Sequence, residues 1–162
     1  MTQLTNSGLT YDADGDMTSD GQYSYTYNAE NQITSANGVN YTYDGDGLRV
    51  EKSSSASTTL YWRGLSGQVL EETGANGDME IDYIFFDGRR IASLDSSGNV
   101  HYLFSDVLGS VRVATDSSGN VCFDADYYPY GQEVDQGTPT CSPTYKFAWI
   151  VIPRIVIIIA RF

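Results

Sequence analysis

His101 is the only histidine in the chain, so it is the one side chain that could serve as a neutral-pH base beside a nucleophile. Ser105 and Asp106 follow it closely. A hydrolase triad from these three would need them to converge, with donors for an oxyanion nearby. The surrounding pattern reads as a strand and its exit, so His101 is expected on a sheet surface. Aspartic chemistry would need two carboxylates sharing a proton. Asp95 and Asp116 each open an Asp-Ser-Ser-Gly unit, one residue longer than the Asp-Ser-Gly of aspartic proteases. Calcium is suggested by Asp12, Asp14 and Asp16 at alternate positions, but glycine is fourth rather than sixth, and position twelve is Tyr23 where an EF-hand has glutamate. Cys122 and Cys141 have no second Cys or His pair at zinc spacing. They could pair in an oxidising compartment, and ordinary thiols are the default reading. No catalytic, cofactor or metal residue is assigned.

The acidic residues gain a simpler meaning from the way they recur. Three segments begin with Tyr11, Tyr27 and Tyr43, each 16 residues after the last. Units beginning at Gly74, Asp95 and Asp116 are spaced by 21. Repetition of this kind is read before any single motif. In each unit an Asp or Asn can accept a hydrogen bond from an amide two residues on, while glycine takes the left-handed conformation that closes a hairpin. Asp12, Gly15, Asp44, Gly47, Asp95, Gly98, Asp116 and Gly119 are therefore predicted to be turn residues.

The flanks carry the period-2 pattern of strands with one buried face. Tyr23, Tyr25 and Tyr27 alternate with Ser24 and Thr26, and Val39, Tyr41 and Tyr43 with Asn40 and Thr42. Val100, Tyr102 and Phe104, then Val111 and Val113, then Val121 and Phe123, are expected to point inward in the same way. No window sustains a helical apolar period, so almost no helix is expected. The prediction is all-β, a run of antiparallel hairpins.

Of 162 residues, 21 are Asp or Glu and 9 are Lys or Arg, a formal net charge of −12. Such a surface repels phosphate backbones and argues against nucleic acid binding. The Arg89-Arg90 pair and Arg112 are expected in internal salt bridges. Tyr61, Trp62, Tyr127, Tyr128 and Tyr130 could form a sugar-stacking platform, although core packing accounts for them more simply. Residues 146–162, KFAWIVIPRIVIIIARF, hold six of the ten isoleucines and no acidic residue. Pro153 and Arg154 break this stretch, which argues against membrane insertion. A buried terminal strand is the default. The N-terminus shows neither the basic start nor the apolar run of a secretory signal.

The ordered series is specific. Tyr-Asp-x-x-Gly units precede Asp106-Val107-Leu108-Gly109-Ser110-Val111-Arg112, and then come Asp116-Ser117-Ser118-Gly119 and Tyr128-Pro129-Tyr130-Gly131. Over about residues 9 to 148 this resembles the Rhs (rearrangement hotspot) and YD-repeat proteins, its later part being similar to the Rhs repeat-associated core. The resemblance marks Asp106, Leu108, Gly109, Ser110, Arg112, Tyr128, Pro129 and Gly131 as family-motif positions. It implies a curved strip of a β-shell that encloses a C-terminal toxin, with the remainder of the shell and the enclosed toxin as partners and no catalysis or cofactor of the strip's own. A surface adhesion or carbohydrate-binding module is the alternative. Secretion or a cell-surface location is implied by the resemblance alone. The expected organisation is YD-type repeats over 1–72, core-like hairpins over 73–148 and an aberrant hydrophobic tail over 149–162. In the family, a glycine, an acidic segment and an aspartyl autoprotease follow the Lys-Phe step. This chain departs at Lys146-Phe147-Ala148, and a frameshift or gene break just after Ala148 is expected.

Overall fold

A computed structural model describes residues 8–129, 131–135 and 137–147. Tyr130 and the isoleucine-rich stretch after Phe147 lie outside the described residues, as do the buried-strand expectation for that stretch and the position of the expected gene break. The described residues are all-β, with fourteen antiparallel strands and no helix. No helix among them is therefore long and apolar enough to cross a membrane. The chain divides into two compact units, Met1–Glu80 and Ile81–Phe162.

In the first unit β1 (Leu9–Tyr11) pairs with β2 (Met17–Asp20). A meander then runs through β3 (Tyr25–Tyr27), β4 (Ile33–Ala36), β5 (Val39–Tyr43), β6 (Arg49–Ser53), β7 (Thr58–Arg63) and β8 (Val69–Gly74), each strand antiparallel to the one before. The second unit repeats this logic from β9 (Met79–Phe86) through β10 (Arg89–Asp95), β11 (Val100–Ser105), β12 (Val111–Thr115), β13 (Val121–Tyr127) and β14 (Glu133–Asp135).

Two kinds of corner join the strands. Asn37-Gly38 and Asp87-Gly88 are two-residue turns with positive φ at both positions, the geometry that matches strand twist. Asp20–Tyr23 and Ser54–Ser57 are also two-residue loops, closed by the first N–H on the fourth carbonyl, and the remaining corners share a five-residue ring in which the first N–H donates to the fifth carbonyl and the fourth N–H donates to the first carbonyl. It recurs at corners beginning with Asp12, Asn28, Asp44, Gly64, Gly74, Asp95, Asp106, Asp116 and Tyr128. The fourth residue must be left-handed. Glycine usually takes this place, as Gly119 does at φ +84°, and Asn31 takes it at +59° in the second repeat. Beside most of these rings the ladder slips by one residue, as at Thr10/Tyr11, Thr26/Tyr27, Thr42/Tyr43 and Trp62/Arg63. That combination is a turn closed by a β-bulge.

The repeated leading tyrosine has a separate task. Tyr27 Oη donates to the Met17 carbonyl and Tyr43 Oη to the Ile33 carbonyl, both at 2.8 Å, so each repeat is tied to the one before it. Threonine pairs keep the same phase, Thr10 with Thr18 and Thr26 with Thr34. Phenylalanine would keep the ring and lose the tie. Tyr43→Phe is therefore expected to cost about 1 kcal/mol in urea unfolding, whereas a purely apolar role for this ring predicts no loss.

Tyr25, Tyr27, Val39, Tyr41 and Tyr43 lie on the more protected face of their strands, as their alternation requires. In the second unit the same reading holds for Val111 and Phe123 and fails at Tyr102, Phe104 and Val121. Tyr102 and Phe104 are exposed while Leu103 between them is buried. Val121 is exposed, whereas Cys122 and Phe123 are both buried. The cause is a bulge: Ala114 opposes Phe123 and Thr115 opposes Val121, so Cys122 is an extra residue and the face changes across it. Leu103, Val111, Ala114, Cys122, Phe123 and Ala125 form the core there.

A strap without strands, residues 137–147, lies against this unit. Thr140 and Cys141 N–H both donate to the Cys122 carbonyl, at 2.8 and 3.1 Å, and Val111 N–H donates to the Lys146 carbonyl at 2.7 Å. Lys146 Nζ reaches Glu133 at 2.8 Å and lies 4.5 Å from the centre of the Phe123 ring. Tyr145 meets Tyr83 edge to face, and the Arg90 guanidinium lies 4.4 and 4.2 Å from the centres of the Tyr83 and Tyr145 rings.

Candidate functional site

The corner carboxylates are the residues with acid, base or metal chemistry to offer. In Asp12, Asp44, Asp95, Asp106 and Asp116, Oδ1 accepts the N–H groups two and four residues on, at 2.8 to 3.0 Å. In two of the units spaced by 21 a further bond is added: Asn99 Nδ2 donates to Asp95 Oδ2 and Asn120 Nδ2 to Asp116 Oδ2. These side-chain amides, followed by the backbone N–H groups, hold both carboxyls below the ordinary value of 3.8. A carboxyl with a lowered folded-state pKa stabilises the fold above its unfolded pKa, and that contribution is lost as pH falls through the lower folded value. The melting temperature of the chain should thus fall as pH drops below about 4, and the double variant Asp95→Asn, Asp116→Asn should fall less over the same range.

Asp16 behaves differently from these carboxyls. Desolvation, then the charges of Asp12 and Asp14, push it upward. Crowded carboxylates beside a satisfied turn are not by that fact a cation site.

The triad reading meets a distance problem. His101 and Ser105 stand four residues apart on β11, about 13 Å at roughly 3.3 Å per residue. The Asp106 Oδ1 atom is taken by the Leu108 and Ser110 amides. These three side chains do not form a relay.

The motif segments turn out to be two ends of one construction. Asp106 to Ser110 make the corner before β12, with Gly109 at φ +93°. Leu108 is exposed and Ser110 buried. Arg112 pairs with Asp126 across β12 and β13. Tyr128 to Gln132 make the next corner, with Pro129 inside it and Gly131 at φ +84°. Tyr127, just before, donates its hydroxyl to the Val111 carbonyl at 2.6 Å, which repeats the tyrosine tie of the first unit. Of the arginines expected in salt bridges, Arg112 makes one, Arg90 packs against the Tyr83 and Tyr145 rings, and Arg89 is exposed.

The sugar-stacking set divides. Tyr61 is 9% exposed with the Arg49 guanidinium 4.8 Å above its ring. Trp62 is 55% exposed and donates Nε1 to Thr73 Oγ1 at 3.0 Å. Adjacent residues of one strand face opposite sides, so Tyr61 and Trp62 cannot share a platform. Tyr128 is exposed and Tyr127 half-buried.

Cys122 and Cys141 are joined in a disulfide, against the default of ordinary thiols. The pairing brings the strap to the bulge of β13, a proximity that no spacing in the sequence could report. His101 lies beside the pair, the three donor atoms falling within 4.8 Å of one another. Its place is thus against a cystine rather than on an open sheet surface. A cleft of about 250 Å³ opens there, lined by Ser93, Asp95, Asn99, His101, Thr140 and Cys141, among others.

No family model matches the chain. It is 29% identical over 139 residues to the tRNA3(Ser)-specific nuclease WapA of Bacillus spizizenii, a match that covers 81% of this chain and 6% of that protein. Among solved structures it is similar to a chain of the Photorhabdus luminescens Tc holotoxin pore, with a TM-score of 0.53, 20% identity, and coverage of 76% of this chain and 7% of that one. The chain thus spans less than a tenth of the length of either relative. Ordered Tyr-Asp and Asp-x-x-Gly corners, antiparallel hairpins and these two likenesses together make this chain similar to the Rhs/YD-repeat proteins.

Proposed function

We propose that the chain is wall: a toxin-related stretch of hairpins, YD-type over 1–72 and core-like over 73–148, that helps enclose a C-terminal polypeptide carried by the rest of the protein. It has no catalysis of its own. The observation that carries this reading is the use to which the acidic residues are put. Each corner carboxylate gives its Oδ1 to two amides of its own turn, so the residues best suited to acid, base or metal chemistry are engaged in closing hairpins. The partners under this reading are the remaining shell and its cargo.

Three readings separate in one set of measurements on the purified chain. Wall predicts a single intact mass after prolonged incubation and no retention on glycan arrays or heparin. Autoproteolysis predicts two fragments. Adhesion predicts glycan binding that is lost in Trp62→Ala, the one of the two neighbouring aromatics that faces solvent.

A further inference from the structure

The His101, Cys122 and Cys141 cluster has no part in the wall reading and stands independently of it. Three features make it more than a histidine beside a cystine. First, Cys141 is held at Cys122 by more than the sulfur bond. The two strap amides on the Cys122 carbonyl, and the Lys146 and Tyr145 contacts further on, anchor the segment on both sides of Cys141. Reduction therefore leaves two thiols close together. Second, His101 is fixed by the β10–β11 ladder, where it pairs with Ser93, and its ring nitrogen stays in range of both sulfurs. Zinc sites have Zn–S of about 2.3 Å and Zn–N of about 2.0 Å. Their donor atoms consequently sit between about 3 and about 4 Å apart, inside the 4.8 Å spread seen here. Third, the cleft reaches Cys141 and His101, which gives an ion a way in and leaves a fourth position open to water.

We propose that, once the cystine is reduced, the Cys122 and Cys141 thiolates and the His101 imidazole bind a borderline-soft divalent cation, zinc by its preference for this donor set, with the fourth position facing the cleft. The chemistry balances with a dithiol as reductant. The dithiol passes two electrons and two protons to the cystine and closes to its own disulfide, and the two thiols then release their protons as the ion binds. Two thiolates neutralise the 2+ charge, which suits a half-buried site. The strap would then be clasped to β13 by sulfur in an oxidising compartment and by metal in a reducing one.

The test uses the full chain, reduced by a dithiol and desalted without oxygen, with cobalt(II) as the optical probe and zinc as its competitor. The proposal expects one cobalt per chain, with thiolate charge-transfer absorption in the near ultraviolet and the intense visible bands of a tetrahedral ion. Zinc should displace it and raise the melting temperature of the reduced chain. The oxidised chain should show none of this. His101→Gln leaves both thiols and should weaken binding at least about tenfold, while Cys122→Ser should abolish it. Absence of the bands in the reduced chain overturns the proposal, and so does equal affinity in His101→Gln. If reduction unfolds the chain, refolding by zinc supports the site and failure to refold overturns it.

Discussion

Phe123→Ala is expected to destabilise the second unit by about 3 to 5 kcal/mol, a large part of the roughly 5 to 15 kcal/mol that holds a domain together. Phe123 is 1% exposed, and its neighbours offer little that could move into the space it leaves. Ala114, directly opposite on β12, and Ala125, two residues on, are already the smallest side chains that still cover the ladder. Leu103 and Val111 belong to strands held in register on both sides, so the cavity cannot collapse cheaply. Lys146 also loses the ring beneath its ammonium. Urea unfolding followed by near-ultraviolet circular dichroism measures the loss. Phe104→Ala removes the same atoms from an exposed site and should shift stability by no more than about 0.5 kcal/mol. Equal effects from the two would mean that the face of β11 and β13 has been assigned the wrong way round.

The second large effect belongs to the disulfide. Cys122 and Cys141 are 19 residues apart, and closing a loop of that size removes enough freedom from the unfolded chain to stabilise the fold by about 3 kcal/mol. The paired variant Cys122→Ser, Cys141→Ser should lose roughly that amount in metal-free buffer. The strap should still dock but open before the strands do, because hydrogen bonds and the Tyr145, Lys146 and Phe147 contacts, without a strand ladder, then hold residues 137–147. Limited proteolysis should cut the variant within 137–147 well before it cuts any β12–β13 corner. A variant that unfolds at the same urea concentration as the parent, with the same cleavage pattern, would contradict this account of the strap.

The corners were legible in the sequence because their chemistry is local. Asp at one end of a four-residue unit and a residue able to adopt positive φ at the other suffice to close the ring at Asp44, Asp95 and Asp116. Asp106 to Gly109 obey the same rule, although the motif around them drew attention to family membership instead. Gly64 and Tyr128 begin the same ring without a carboxylate, so only the glycine three residues on announces them. The tyrosine ties at Tyr27 and Tyr43 were visible as a spacing but not as a bond, since a period cannot say which carbonyl a hydroxyl reaches, and the tie at Tyr127 lies outside that period.

What alternation could not give is which face of the second unit is inside. β11 is apolar at both parities, with Tyr102 and Phe104 on one and Leu103 on the other. The one-residue slip at Cys122 then reverses the reading along β13. The candidate site was hidden for a related reason. His101, Cys122 and Cys141 are separated by 21 and 19 residues and meet only through the β11–β12–β13 ladder and the folded-back strap. The same holds for the contact between Arg90 and Tyr145, which the strap brings from 55 residues further on.

The most direct measurement of the wall proposal is a graft. Residues 8–147 replace the matching stretch of the Bacillus spizizenii relative, and the chimera is then digested with a protease that cuts unfolded chain. If these hairpins are wall, the C-terminal part of the chimera stays as protected as in the parent, and it stays so when Asp12, Asp44, Asp95 and Asp116 are all changed to Asn, which keeps an acceptor for the turn amides and removes the charge. Rapid digestion of the C-terminal part in the graft, or protection that disappears with the four asparagines, would contradict it.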